Sequence, residues 1–461
     1  MVRVKGLALL WLLSILVLGG CATALPDVSA LMEEKAAKSA TISGPGGKLK
    51  SANSEQILSR LEQKAGPTDL VQINAALMES LSGNPLTTGN KATLLVDGAA
   101  TYAAIFKAVA EAKDHINVET YQFEDDEIGR RFSDLLLRKR AEGIQVNLIF
   151  DSVGSSNTPA AFFEKLREGG VKVVEFNPLS PLKAKSSELV THRDHRKVVV
   201  VDGMTAFTGG VNFSSVYSSS PSRSGGSQER RRPGWRDTHV MIEGPAVAQF
   251  QTSFMQTWQS QNGPPLDAAD YFPRFEPRGT ELITVVGSTP GDPNRLTYVM
   301  YVSAIKQASR SIHITNSYFV PDRQTLDSLE EAAGRGVDVA LIVPGVSDSN
   351  LALYAGRSYY EDLLEAGVKV YEHNDRVLHA KTAVIDGVWS TIGSTNFDLW
   401  SFMRNDELNA IILGVDFANQ MESLFKRDIG ASSEVTRQEW SGRPIWTRMR
   451  EWIARLMAHW L

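Results

Sequence analysis

The segment HRKVVVVDG, beginning at His195, returns as HAKTAVIDG, beginning at His379. A constant offset of 184 carries His195, Lys197, Asp202, Gly203, Gly209, Asn212 and Phe213 onto His379, Lys381, Asp386, Gly387, Gly393, Asn396 and Phe397. One His-x-Lys-x4-Asp run is a weak signal, but two at matched places of an internal repeat restrict the chain to a duplicated fold. Other segments recur in the same order. INVETYQF, GIQVNLIF and GVKVVEF before the first motif are answered by IHITNSYF, GVDVALIV and GVKVYEH before the second, with amphipathic helical patterns between them. Apolar runs bounded by glycine and separated by such helices predict mostly parallel strands with helices on both faces. The expected fold class is α/β. Each of two repeated domains has a mostly parallel mixed sheet flanked by helices, and the two pack as a pseudo-dimer around one shared active site.

The chain's 461 residues suffice for two such domains. They are placed at residues 91–262 and 278–430, because NGPPLD and FPRFEPRG interrupt the patterning between Gln259 and Arg278. Residues 21–90 read as a tether with small helices. Residues 440–461 read as an amphipathic helix with Ile445, Met449, Trp452, Leu456 and Trp460 on one stripe and Arg448, Arg450 and Arg455 elsewhere. That stripe suits a membrane interface and equally a helix docked on the core. A net charge of -5 provides no basic field for nucleic acid, so no such partner is expected. The single cysteine, Cys21, excludes an internal disulfide and a multi-thiolate zinc site. It follows Arg3, Lys5 and an apolar run from Gly6 to Gly20 that is short for a bilayer span and has the pattern of a secretory signal over residues 1–20.

Alternation along a strand puts His195 and Lys197 on one face, and His379 and Lys381 likewise. The apolar stretch after each pair then runs into an Asp-Gly turn at Asp202 or Asp386.

With these paired motifs the chain resembles the phospholipase D superfamily, and within it the bacterial cardiolipin synthases. The likeness covers about residues 90 to 430. It also rests on FEDDEIGRRF, SYFVPD, WRDTHVMIEGPAV, PGVSDSNLALYAGRSYYEDLLEAGVKVYE and GSTNFDLWSF. Phosphodiester cleavage requires cations, a nucleophile and a proton donor, and two histidines with two lysines supply all three. The resemblance makes His195 the nucleophile that forms a phosphohistidine and His379 the acid/base, although the residues alone allow the reverse. Lys197 and Lys381, with Asn212 and Asn396, would hold the nonbridging oxygens, and no metal or cofactor is then required. Matching RDTHVMI to DELNAII pairs Asp237 with Glu407 as the acidic partners, with Asp237 assigned to His195 and Glu407 to His379. Asp202 and Asp386 are expected to hold the turns. His192, His239, His313 and His373 read as surface or core histidines, and His459 as part of the tail.

Leu18-Gly19-Gly20-Cys21 resembles the bacterial lipobox. This implies lipidation of Cys21 and a lipid-anchored place on the periplasmic side of the cell envelope, with Ala22 favouring the outer membrane. The interval from His195 to Asp237 is 42 residues against 28 from His379 to Glu407, so the first half carries an extra loop bearing Arg230, Arg231 and Arg232. Those arginines suit an anionic headgroup or simply a solvated loop. The reading is a phosphatidyltransferase acting on phospholipid at a membrane. Hydrolysis to phosphatidic acid, an exported nuclease using the same histidines and a non-catalytic envelope scaffold are the alternatives.

Overall fold

The computed structural model describes residues 25–35, 40–66, 68, 70–179, 191–218 and 234–458. Cys21 with its signal segment, Arg230 to Arg232, His459 and Trp460 lie outside them.

The first half contributes seven long strands: β1 (Leu86–Val96), β2 (His115–Thr120), β3 (Gln145–Asp151), β4 (Lys172–Phe176), β5 (Lys197–Val201), β6 (Thr205–Gly209) and β7 (Thr238–Glu243). The second half repeats them as β8 (Glu281–Ser288), β9 (Ser311–Asn316), β10 (Asp338–Pro344), β11 (Lys369–His373), β12 (Lys381–Ile385), β13 (Trp389–Gly393) and β14 (Asn405–Leu413). Flanking helices include α1 (Leu70–Ser82), α2 (Asp97–Glu111), α3 (Glu127–Ala141), α4 (Ala160–Glu168) and α5 (Val247–Ser260). They continue with α6 (Leu296–Gln307), α7 (Arg323–Gly334), α8 (Asn350–Arg357), α9 (Tyr360–Glu365), α10 (Val415–Ile429) and α11 (Ile445–Leu456).

The α/β class and the duplication are as the repeat predicts, with a difference in strand direction. The trios β2-β3-β4 and β9-β10-β11 are parallel, being joined by helical crossovers, whereas β5, β6 and β7, with β12, β13 and β14, run antiparallel. The cause is the Asp-Gly turn. Asp202 and Gly203 have φ of 52° and 63°, and Asp386 and Gly387 of 53° and 63°, the left-handed pair that closes a hairpin.

Each aspartate also caps the neighbouring strand's start. Asp202 accepts the amides of Lys113, Asp114 and His115, and Asp386 those of Ser309, Arg310 and Ser311. The carboxylates of both motif aspartates are therefore engaged in holding turns and strand starts.

The motif strands are buried on both faces. Val199 and Val201 pack under the helices of the first half, while Val198 and Val200 enter a core shared with Ile283, Val285, Val384, Ile392, Leu408 and Ile412 of the second. This shared core holds the halves together, since each buried aliphatic side chain contributes about 1.5–3 kcal/mol. β1 crosses the seam: it pairs antiparallel with β8 at its start and with β7 from Lys91 onward. At the changeover the buried Asn90 donates to Thr87 O and accepts from Ala246 N.

The segment before β1 packs into the second half. Leu58, Leu70, Val71, Leu77 and Met78 join its core beside Tyr298 and Trp389. Asn74 accepts from Trp389 Nε1 at 2.9 Å and donates to Ser303 Oγ at 3.0 Å.

Candidate active site

Two short cross-half bridges build the site. Arg193 and Asp194 pair in parallel with Asn405 and Asp406, and the His195 amide donates to Asp406 O at 2.9 Å. On the other side Arg236 N donates to Val377 O and His379 N to Arg236 O, each at 2.8 Å. These bridges set each motif histidine beside the acidic strand of the opposite half.

The acidic partners are accordingly exchanged relative to the assignment from sequence. His195 Nδ1 lies 3.0 Å from Glu407 Oε1, and His379 Nδ1 lies 2.8 Å from Asp237 Oδ2. Matching the repeats identified both acids, but a match within halves cannot show that each carboxylate is carried across the seam by the strand it sits on. With the carboxylate ionised, Nδ1 carries a proton, so Nε2 of each ring is the atom left for the cleft, with a lone pair on a neutral ring and a proton on a charged one.

The two half-sites differ in their support. Glu407 receives the hydroxyl of Ser394 and the Asn405 amide. Burial pushes the Glu407 carboxyl up, but His195 and the Ser394 hydrogen bond outweigh it and hold the group below its ordinary value. Gly210 stands where the repeat has Ser394, and a Cβ there would collide with the Asp237 carboxylate. Asp237 is pushed up to about 6 by burial, opposed by the Lys381 charge. Burial lowers both imidazoles, with Glu407 pulling His195 back up and Lys381 pushing His379 further down. Each site bears electrostatically on the other, His195 on His379 and Lys381 on His195.

Both lysines are buried and curl back on their own motif, Lys197 Nζ to His195 O and Lys381 Nζ to His379 O, each at 2.6 Å. Burial brings them down to about 7 and about 8. Asn212 Nδ2 donates to Tyr217 Oη at 2.8 Å, so its amide is engaged within the protein. Asn396 accepts from Ser317 Oγ at 2.7 Å, which leaves its NH2 end as the donor.

Aromatic rings missed from the sequence wall the site. Tyr217 and Trp235 lie 5.6 and 5.5 Å from the His379 ring, and Tyr121 lies 5.2 Å from that of His195. Tyr217 and Trp235 stand at the two ends of the extra loop and pack on each other. The loop's extra length is the signal in the sequence that points to them. His192, read as surface or core, hydrogen-bonds through Nε2 to Asp406 Oδ1 at 2.6 Å beside the bridge that fixes His195. His239 is buried, while His313 stacks on Phe425 and meets Glu422. Among the described residues no group of three or more His, Cys, Asp or Glu is arranged to hold a metal ion.

Fold and site together define a duplicated phospholipase D-type enzyme. Residues 105–220 and 301–429 match the family described as "Cardiolipin synthase, PLD-like domain", and the chain belongs to that family. It is 34% identical over 376 residues to the major cardiolipin synthase ClsA of Bacillus subtilis, covering 81% of this chain and 76% of the relative. It is also 34% identical over 377 residues to the cardiolipin synthase of Geobacillus thermodenitrificans, covering 81% and 73%. In fold it is similar to the phosphatidylserine synthase of Haemophilus influenzae, with TM-score 0.60 and 15% identity over 88% of this chain and 99% of that one. The chain is thus a phosphatidyltransferase of the phospholipase D type. No helix among the described residues is long and apolar enough to cross a membrane.

Proposed function

We propose that the enzyme moves a phosphatidyl group from one phosphatidylglycerol to a hydroxyl of a second, giving cardiolipin and glycerol. Nε2 of His195 attacks phosphorus, the P–O bond to glycerol breaks, and His379 gives its proton to the departing oxygen. In the second half-reaction His379 takes the proton of the incoming hydroxyl, whose oxygen displaces His195 from phosphorus. Lys197, Lys381 and the Asn396 amide neutralise the nonbridging oxygens as negative charge grows. Asn212 acts through Tyr217.

The observation that carries this reading is the crossed pairing of His195 with Glu407 and His379 with Asp237. Two imidazoles, each with Nδ1 occupied by a carboxylate, present two Nε2 atoms for one nucleophile and one acid/base. Incubating the protein with phosphatidylglycerol and chelator, with products read by mass spectrometry, tests it. Cardiolipin and glycerol are expected, with loss in His195→Ala and His379→Ala and an acid-labile phosphoryl adduct on His195 after quenching. Phosphatidic acid as the only product would make water the acceptor and overturn transfer.

We place the enzyme in the bacterial envelope, anchored by acylated Cys21 on the periplasmic side of the outer membrane. Supporting this are the Leu18-Gly19-Gly20-Cys21 run and Ala22. Loss of detergent-phase partitioning in Cys21→Ser cells is expected, and unchanged partitioning would remove the anchor.

A further inference from the structure

The C-terminal helix is attached with its hydrophobic stripe facing outward. Glu451 and Ala454 are its buried residues, and Ala454 packs with Val320 and Ala355. Polar groups complete the attachment. Arg443 Nε binds Glu451 at 2.9 Å, Arg448 approaches Glu361 at 3.6 Å, and Arg455 lies over the Tyr359 ring at 4.4 Å. Ile445, Trp446, Met449, Trp452, Ile453, Leu456 and Met457 are left exposed, the two tryptophans at 68% and 59%. A helix bound by its charged and small residues, with so many large apolar side chains in solvent, is complementary to an apolar phase outside the protein.

Its place in the fold points to the same phase. α11 packs on α8, which begins two residues after Asp348. The Asp348 carboxylate accepts from Tyr318 Oη and bears on His379 and Lys381. The loops on this edge of the sheets carry further exposed aliphatic residues: Leu179 after β4, Val216 beside Tyr217, and Val346 after β10. The arginines here are turned to the protein: Arg437 pairs with Glu365 at 2.7 Å, and Arg455 reaches Asp362 at 3.8 Å, as Arg443 and Arg448 reach Glu451 and Glu361. With these charges engaged in the attachment, the exposed tryptophan and aliphatic side chains match the interface of a phospholipid bilayer.

We propose that α11, with the apolar rim formed by Leu179, Val216 and Val346, docks the enzyme on a phospholipid leaflet and sets the histidine cleft against that leaflet. The inference rests on the reading of the substrate as membrane phospholipid. It adds the surface by which the cleft meets that substrate, independent of any acyl chain.

The test uses the chain from residue 21 onward with Cys21→Ser, so that neither the apolar signal segment nor an acyl chain contributes, floated with vesicles of phosphatidylglycerol and phosphatidylethanolamine. The protein is expected to float with these vesicles and with phosphatidylcholine alone, and to stay bound in salt, as an apolar contact requires. The double variant Trp446→Glu, Trp452→Glu should lose roughly tenfold or more in partitioning, as charge on an interfacial face requires. Its turnover of vesicle substrate should fall in parallel, while turnover of monomeric short-chain phosphatidylglycerol stays at the parental level. Trp446→Phe, Trp452→Phe should retain binding, and circular dichroism checks that both variants fold.

Undiminished flotation of the glutamate variant, or failure of the parent to float, overturns the proposal. So does a change of the parent from dimer to monomer on glutamate substitution with flotation intact, which would give the face to a second copy. Flotation without any transfer product leaves the docking face standing and sinks the proposed reaction. Turnover of soluble phosphatidylglycerol without flotation does the opposite.

Discussion

His195 and Glu407, 212 residues apart and in opposite halves, form a hydrogen bond of 3.0 Å through Nδ1. The histidine is oriented only while the halves are docked. Glu407→Gln keeps the shape but removes the charge that fixes the Nδ1–H tautomer, so kcat should fall by about two to four orders of magnitude with little change in KM. Steady-state kinetics on phosphatidylglycerol check this, and a loss smaller than about tenfold would remove Glu407 from the mechanism.

The pH profile of kcat/KM should be a narrow bell. Protonation of Asp237 near pH 6 removes the anion that orients His379, which gives the acid limb. Loss of the Lys197 charge near pH 7 and that of Lys381 near pH 8 gives the alkaline limb. Lys197→Arg keeps its charge throughout, so the alkaline limb should move toward pH 8. An unmoved limb would show that Lys197 does not set it.

Asp237 should cost the fold stability at neutral pH. Its carboxyl is raised from 3.8 to about 6, so the folded state holds the proton more tightly than the unfolded one. The resulting stability is complete below about pH 4 and is lost as pH rises through about 6. Asp237→Asn mimics the protonated acid and should stabilise by up to about 3 kcal/mol at pH 7.5, and by nothing near pH 4, while activity collapses. Denaturant unfolding at both pH values reads the difference.

Ser394 and Gly210 occupy the same place in the two halves, and exchanging their roles should fail. Ser394→Ala removes a hydroxyl from the buried Glu407 carboxylate, with an expected cost of about 1–3 kcal/mol in stability. Gly210→Ala should displace Asp237 and lower activity with the fold retained. Thermal melts beside kinetics separate these outcomes.

Asn74→Ala should destabilise by about 1–3 kcal/mol, because it strands the indole N–H of the fully buried Trp389, while the Ser303 hydroxyl keeps its bond to Met300 O. The folded fraction should keep its turnover, since α1 lies on the core side of the second half. A loss of kcat with no change in melting temperature would contradict that placement.

The sequence alone determined the duplication, the four His and Lys positions, the acidic pair and the two Asp-Gly turns, because spacing and periodicity are properties of the chain itself. Tertiary structure decided which acid meets which histidine, since strand pairing at Arg193–Asp194 and Arg236 carries each carboxylate across the seam. It also decided that α1 joins the second half's core, that Tyr217 and Trp235 close on His379, and that the stripe on α11 faces outward. Periodicity tells which residues of an element share a face. Which element or solvent meets that face depends on packing between segments far apart in the chain, and only the assembled molecule fixes it.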